Sequence, residues 1–181
     1  MKKTVLRALM YGFFFVMAFA VNSCNKPVTP PNVAGTWSSL ENVFAIQIDK
    51  SVEEYDTDLE EKLIAAVNQM TDAHFDPQTI IISSDDAFRF LSAFGEIGSG
   101  ICSIDKSGLI TFSFTSGYYP ENKAFAYSDG ALMELFLHIE SVKPVFLSAL
   151  DVESEKMEAL FREENPVITA MQASIIFKPA K

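Results

Sequence analysis

Leu109-Ile-Thr-Phe-Ser-Phe114 decides the fold. Ile110, Phe112 and Phe114 fall on one side at period two, and Thr111 and Ser113 on the other. That alternation marks a strand with one face in a core and one face in water. Before it, Asp105-Lys-Ser-Gly108 reads as a tight turn leading back to a strand at Ile101–Ile104. Further upstream, Thr79-Ile-Ile-Ile-Ser83 and Ala87-Phe-Arg-Phe-Leu91 are strands joined by the turn Ser84-Asp85-Asp86. Between the two groups, Gly95-Glu-Ile-Gly-Ser-Gly100 has neither the GxGxxG order nor the Lys-Ser/Thr of a phosphate loop, and reads as a flexible hairpin connection. Downstream come a loop at Gly117–Asn122, a short strand at Ala124–Tyr127, a turn at Ser128-Asp-Gly130, and a strand at Leu132–Ile139 with both faces largely apolar. A last strand, Met171–Phe177, aligns Met171, Ala173, Ile175 and Phe177.

A first strand, Phe44–Asp49, puts Phe44, Ile46 and Ile48 on one face. A helix follows, with capping boxes at Ser51–Glu54 and Thr57–Glu60 and an apolar stripe of Leu59, Leu63, Ala66, Val67 and Met70. Its early acidic residues suit the positive end of the helix dipole, and Asp76-Pro77 ends the segment. A second helical region spans about Val145–Glu164, with Pro144 at its first turn, Met157, Leu160 and Phe161 inward, and Asn165-Pro166 as the stop. That makes eight strands with helical insertions after the first and the seventh. If neighbours alternate in direction, both insertions emerge at one end and Gly35-Thr36-Trp37 lies at the other. The expected fold is mainly β: an eight-stranded antiparallel up-and-down barrel with two helical insertions at one end. Its rival is an open curved sheet wrapped on one long helix. Pairing of the last strand with the first separates the two.

Gly35-x-Trp37 ahead of a first strand resembles the signature of lipocalins and other calycins, and the eight-strand layout from Val33 to the C-terminus is similar to the outlying bacterial lipocalin-like group. The resemblance implies that Trp37 packs across a closed barrel end. It also implies helices over the opposite entrance, as in fatty-acid-binding relatives.

The N-terminus carries an address. Lys2, Lys3 and Arg7 precede an apolar core from Tyr11 to Val21, which is shorter than the about 20 residues of a membrane span and fits an export signal. Val21-Asn22-Ser23-Cys24 then resembles the lipobox of bacterial lipoproteins. That resemblance implies cleavage before Cys24 and lipidation of its thiol and new amine. An ordinary cleaved signal and a short membrane anchor are the alternatives. The implied layout is a signal peptide at 1–23, a lipidated Cys24 with a Pro-rich tether to residue 32, and the barrel at 33–181. The implied location is the bacterial cell envelope. There the protein is anchored by lipid in the outer membrane and faces the periplasm, because no acidic run follows Cys24.

The formal charge is −10, and since the first 23 residues hold three cations and no acid, the remainder carries −13. Such a surface gains nothing from phosphates, so no nucleic acid is expected as a partner. With Cys24 lipidated, Cys102 stands alone, has no disulfide partner, and reads as a buried small hydrophobe. His74 and His138 give no zinc spacing, Asp85-Asp86 lacks the EF-hand pattern, and no Gly-x-Ser-x-Gly elbow occurs. No catalytic residue, metal or cofactor is assigned, and the protein is expected not to be an enzyme.

The expected function is non-enzymatic binding of an apolar ligand, the first of three readings. In the first, a small apolar ligand, a lipid or fatty acid, sits in the barrel among Phe44, Ile46, Phe88, Phe90, Phe112 and Phe114, with Glu134 and His138 orienting its head group. In the second, the same residues fill the interior, since eight strands enclose just enough space for side chains, and the protein is a structural or protein-interaction module. The third is a calycin-like enzyme. Cavity volume separates the first two, and the protein partner of the second is unspecified.

Overall fold

The computed structural model describes residues 29–117 and 122–180. It contains eight strands: β1 Gly35–Ile48, β2 Thr79–Ile82, β3 Ala87–Ser92, β4 Gly95–Ile104, β5 Leu109–Gly117, β6 Lys123–Ser128, β7 Met133–Phe136 and β8 Ile168–Pro179. Each pairs antiparallel with the next, and the sheet closes into a barrel. The closing seam is visible at both ends of the outer strands. Ala180 N donates to Thr36 O at 2.8 Å, and Asp49 N donates to Val167 O at 2.9 Å. The open-sheet rival is thereby excluded. The helical insertions fall after β1 and after β7 and comprise three helices: α1 Thr57–Asp72, α2 Ile139–Ala149 and α3 Ser154–Phe161.

The described parts form two compact units. One is drawn from Val28–Val43, Thr71–Lys143 and Ala173–Lys181 and holds most of the barrel. Its core is Trp37, Ile80, Ile82, Phe88, Phe90, Cys102, Ile110, Phe112, Met133, Leu135, Ile175 and Phe177, with Ala124 and Ala126. Inward residues alternate in bulk from strand to strand: phenylalanines on β3, Gly98, Gly100 and Cys102 on β4, Ile110 and phenylalanines on β5, alanines on β6, and Met133 and Leu135 on β7. Phe88 is registered with Gly100, and Gly100 with Phe114. Rings from β3 and β5 therefore meet over a strand that has no side chain in the way. This corrects the reading of Gly95–Gly100 as a hairpin connection. The segment is the first half of β4, and the turn is confined to its start, where Gly95 has φ +130°. A Cβ on Gly98 would come within 2.7 Å of the Phe114 ring, and one on Gly100 would strike the Ser113 carbonyl. Glycine here makes room for aromatics; it does not confer flexibility.

The other unit includes Phe44–Met70 and Pro144–Gln172 and has its own small core. Leu59, Leu63, Ala66 and Met70 are buried on α1, as the stripe predicts. The cap is Asp56, not Ser51 or Thr57. Its carboxylate accepts from Leu59 N at 2.8 Å and its carbonyl from Glu60 N at 3.0 Å. The second helical region begins earlier than the sequence suggests, so Pro144 lies inside α2, where it forgoes one backbone bond. α3 buries Ala159 and Leu160, with Met157 and Phe161 half-buried. Ion pairs bind this unit's surface: Lys156 to Asp56 at 2.7 Å, Arg162 to Glu54 at 2.6 Å and Lys50 to Glu60 at 2.8 Å.

Candidate functional site

The barrel interior is the site the sequence nominates, and the structure gathers four phenylalanine rings there. Phe88 lies 5.1 Å from Phe90, 4.9 Å from Phe112 and 4.9 Å from Phe114 between ring centroids. Phe90 lies 5.0 Å from Phe112 and 5.2 Å from Phe114. Most of these contacts are edge-to-face, the favoured arrangement of ring quadrupoles. Phe88, Phe90 and Phe112 are at most 1% exposed, and Phe114 packs against them half-buried.

Four other nominated residues lie outside this cluster. Phe44 is buried in the helical unit, its ring 5.2 Å from that of Phe146, and Ile46 is half-buried farther along the same strand. Both sit beyond Val43, where β1 leaves the barrel unit. Glu134 alternates with the inward Met133 and Leu135, so it faces out of the barrel, and its carboxylate accepts from Ser174 Oγ at 2.7 Å. β7 ends at Phe136, so His138 shares no strand face with Glu134; its carbonyl accepts from Ser141 N at the start of α2. The pair does not form a head-group site inside the barrel.

Trp37 is buried in the barrel core, and its indole N–H donates to Val33 O at 2.8 Å, folding the start of the domain back on itself. Gly35 takes φ +140° at the first residue of β1, a conformation that suits glycine alone, with open space around it. Cys102 is buried, and desolvation, followed by the Asp86 carboxylate, pushes its thiol up to about 11. Cys24 and the segment expected to be an export signal lie outside the described residues. Among the described residues no helix is long and apolar enough to cross a membrane, and no three His, Cys, Asp or Glu side chains group to hold a metal ion.

One feature of the barrel unit escaped the sequence reading. A half-open cleft of about 340 Å³ lies between Ser39–Asn42 of β1 and the segment Thr71–Phe75, with Gln78 beside it. The Asn42 side-chain amide donates to the Ala73 carbonyl and ties the two walls together. Ser39 N donates to Gln78 O at 2.9 Å, anchoring the cleft where β1 meets the approach to β2. Glu41, Asp72 and His74 supply its ionisable groups. No periodicity runs through either wall. The only signal was a polar interruption between an apolar helix stripe and Asp76-Pro77.

The two ends of the barrel unit differ. Pro31 lies 3.5 Å from where a Gly130 Cβ would sit, so the chain enters beside the β6–β7 turn. Buried Val33 fixes it there. The β3–β4 hairpin and the cleft occupy the other end, and Phe94 at that hairpin tip is fully exposed. In comparisons with protein-family models, curated proteins and solved structures, the chain matches none.

Proposed function

We propose that this protein is a lipid-tethered, non-enzymatic scaffold of the bacterial cell envelope, whose barrel is filled by its own side chains and whose outer surface meets a protein partner. The observation that carries the reading is the interlocked group Phe88, Phe90, Phe112 and Phe114, in a barrel type just wide enough to be packed solid. A carrier of fatty acids needs continuous space for an acyl chain where these rings touch. Presentation also fits the placement of the chain's entry. From Cys24 to Val33 is nine residues, at most about 30 Å of extended chain. With Cys24 anchored in the periplasmic leaflet of the outer membrane, the tether would lead to the β6–β7 end and leave Phe94 at the end away from the membrane. Diacylglyceryl and amide-linked chains on one residue would make the anchorage effectively permanent, since each buried CH₂ contributes about 0.8 kcal/mol.

Native mass spectrometry of protein purified without added lipid tests the interior. The expected mass is that of the processed polypeptide with its covalent lipid and nothing more. A stoichiometric acyl ligand that leaves on gentle activation would restore the carrier function. For the tether, Cys24→Ala should release the protein from the membrane fraction. Unchanged partitioning of that variant would remove the anchor from the proposal.

A further inference from the structure

The outer wall of β4, β5 and β6 is open to solvent and carries no acid. Cys102, Ile110, Phe112, Ala124 and Ala126 point into the core, so the residues that alternate with them point out. Three of those are large and apolar: Ile101 is 58% exposed, Leu109 39% and Phe125 45%. Ser103, Thr111 and Ser113 stand between them. The one charged member is Lys123, in a chain with 24 Asp and Glu residues. Strand register sets this wall in three rows. Ile101, Ser113 and Lys123 make the first. Ser103, Thr111 and Phe125 make the middle row, which Phe136 of β7 continues. Leu109 and Tyr127 make the last, which Glu134 of β7 continues. The turns next to that last row hold Asp105, Lys106 and Asp129, so the wall is positive at the Lys123 end and net negative at the other.

We propose that this wall is the contact face of a homodimer, its occupant a second copy of the chain. The two-fold axis lies in the contact plane and runs across the strands along the middle row. Such an axis reverses the order of the rows, so Lys123 of each copy meets Glu134 of the partner subunit, and Phe125 lies at the centre. The patch is then self-complementary, as an isologous contact requires. Charge selects this occupant. The chain carries a formal −10, so two copies that meet elsewhere set acids against acids, whereas here the positive end of each faces the negative end of the other. Glu134 accepts from Ser174 Oγ through Oε1, and an ionised carboxylate has acceptor capacity beyond one bond. Barrel walls are convex, so two of them touch over a narrow strip, below the about 1,000 Å² of a stable interface, and the dimer is a weak one. The inference needs neither a packed interior nor the tether.

Sedimentation velocity of the mature chain, from low micromolar to near-millimolar concentration, tests the contact. The wild type should pass from monomer to dimer within that range. Phe125→Glu sets an acid at the centre of both copies and should weaken association by at least about tenfold, with the urea midpoint kept because the side chain is half exposed. Lys123→Glu should weaken it by about tenfold, since the two-fold axis loses the pair twice, and Glu134→Lys added to it should restore wild-type affinity within about threefold. Phe94→Ser, at the hairpin tip outside this wall, should change nothing. A wild type that stays monomeric throughout, association that survives Phe125→Glu, a charge swap that fails to rescue, or loss of the dimer in Phe94→Ser would overturn the inference. A monomeric wild type would leave the packed interior and the tether untouched, because their own tests do not read association.

Discussion

Truncating Phe90 to alanine distinguishes a packed barrel from a hollow one. The side chain is fully buried and touches three other rings, at centroid distances of 5.0 to 5.2 Å. Removing it leaves a void of about 95 Å³, which at ~24 cal/mol per Å³ costs about 2 kcal/mol. Lost transfer free energy of the ring adds roughly 2 kcal/mol. The expected loss is therefore about 4 kcal/mol, near 3 if the neighbouring rings relax inward. Urea unfolding followed by Trp37, which lies in the same core, reads it directly. With a slope of about 2 kcal/mol/M the midpoint should fall by about 2 M. Benzene should then restabilise the variant, because it replaces the deleted ring almost atom for atom in a dry apolar site. Phe90→Leu is the milder companion, expected to cost about 1 kcal/mol with its midpoint still measurable. A loss below about 1 kcal/mol for Phe90→Ala, with no benzene effect, would show that the ring lined open space, and the packed-interior argument would fall.

Three other outcomes follow from named contacts. Gly100→Ala drives a methyl onto the Ser113 carbonyl and toward the Phe114 backbone, neither of which is a flexible tip, so a loss of about 3 kcal/mol in the same urea assay is expected. Lys156 beside Asp56 and Arg162 beside Glu54 hold these carboxyls below the ordinary carboxylate range. Groups with lowered folded pKa values stabilise the fold above the unfolded pKa of about 4, and that stability is lost as pH falls through the folded values. Helical ellipticity at 222 nm should therefore decay on acidification, and Lys156→Met should blunt the dependence; an unchanged acid profile would discount the pairs. Cys102, with its thiol at about 11 and its side chain buried, should not react with a thiol reagent at about pH 8 until the protein is unfolded. Unfolded mature protein should then yield one thiol, because a lipidated Cys24 is a thioether; two would contradict the anchor.

Much of the fold was legible because antiparallel strands with one wet face write their periodicity plainly. Ile110, Phe112 and Phe114 alternate with Thr111 and Ser113, and that face is the core face of β5. Boundaries were less legible where tertiary pairing extends a strand past its apolar run. β1 begins at Gly35, well before the Phe44 alternation, because its early residues pair with β2 from Gly35↔Ile82 to Ser38↔Thr79. α1 was readable from its stripe, but its cap moved to Asp56 because a carboxylate one residue earlier reaches the Leu59 amide and also meets Lys156. The phenylalanines of β3 and β5 were correctly placed together. Phe44 and Ile46 were not, since period two identifies a face but not which of two cores that face enters. The cleft left no trace in the periodicity, because its walls are assembled by the Asn42–Ala73 contact across distant segments.

The glycines of β4 carry the strongest argument about purpose. A barrel that holds an apolar ligand needs an apolar wall, and wall residues of many sizes serve equally well if the ligand supplies the remaining volume. Here the sizes are matched across strands. Gly98, Gly100 and Cys102 on β4 face Phe88, Phe90, Phe112 and Phe114 on its two neighbours, and Ala124 and Ala126 on β6 lie beside Ile110 and Phe112. Reversing one member of such a pair either collides, as at Gly100, or opens a void, as at Phe90. Complementarity of that kind is what filling a fixed volume demands at native packing density. The packed-interior proposal therefore directs its tests to the outer surface, where the exposed Phe94 and the cleft share one end of the barrel unit.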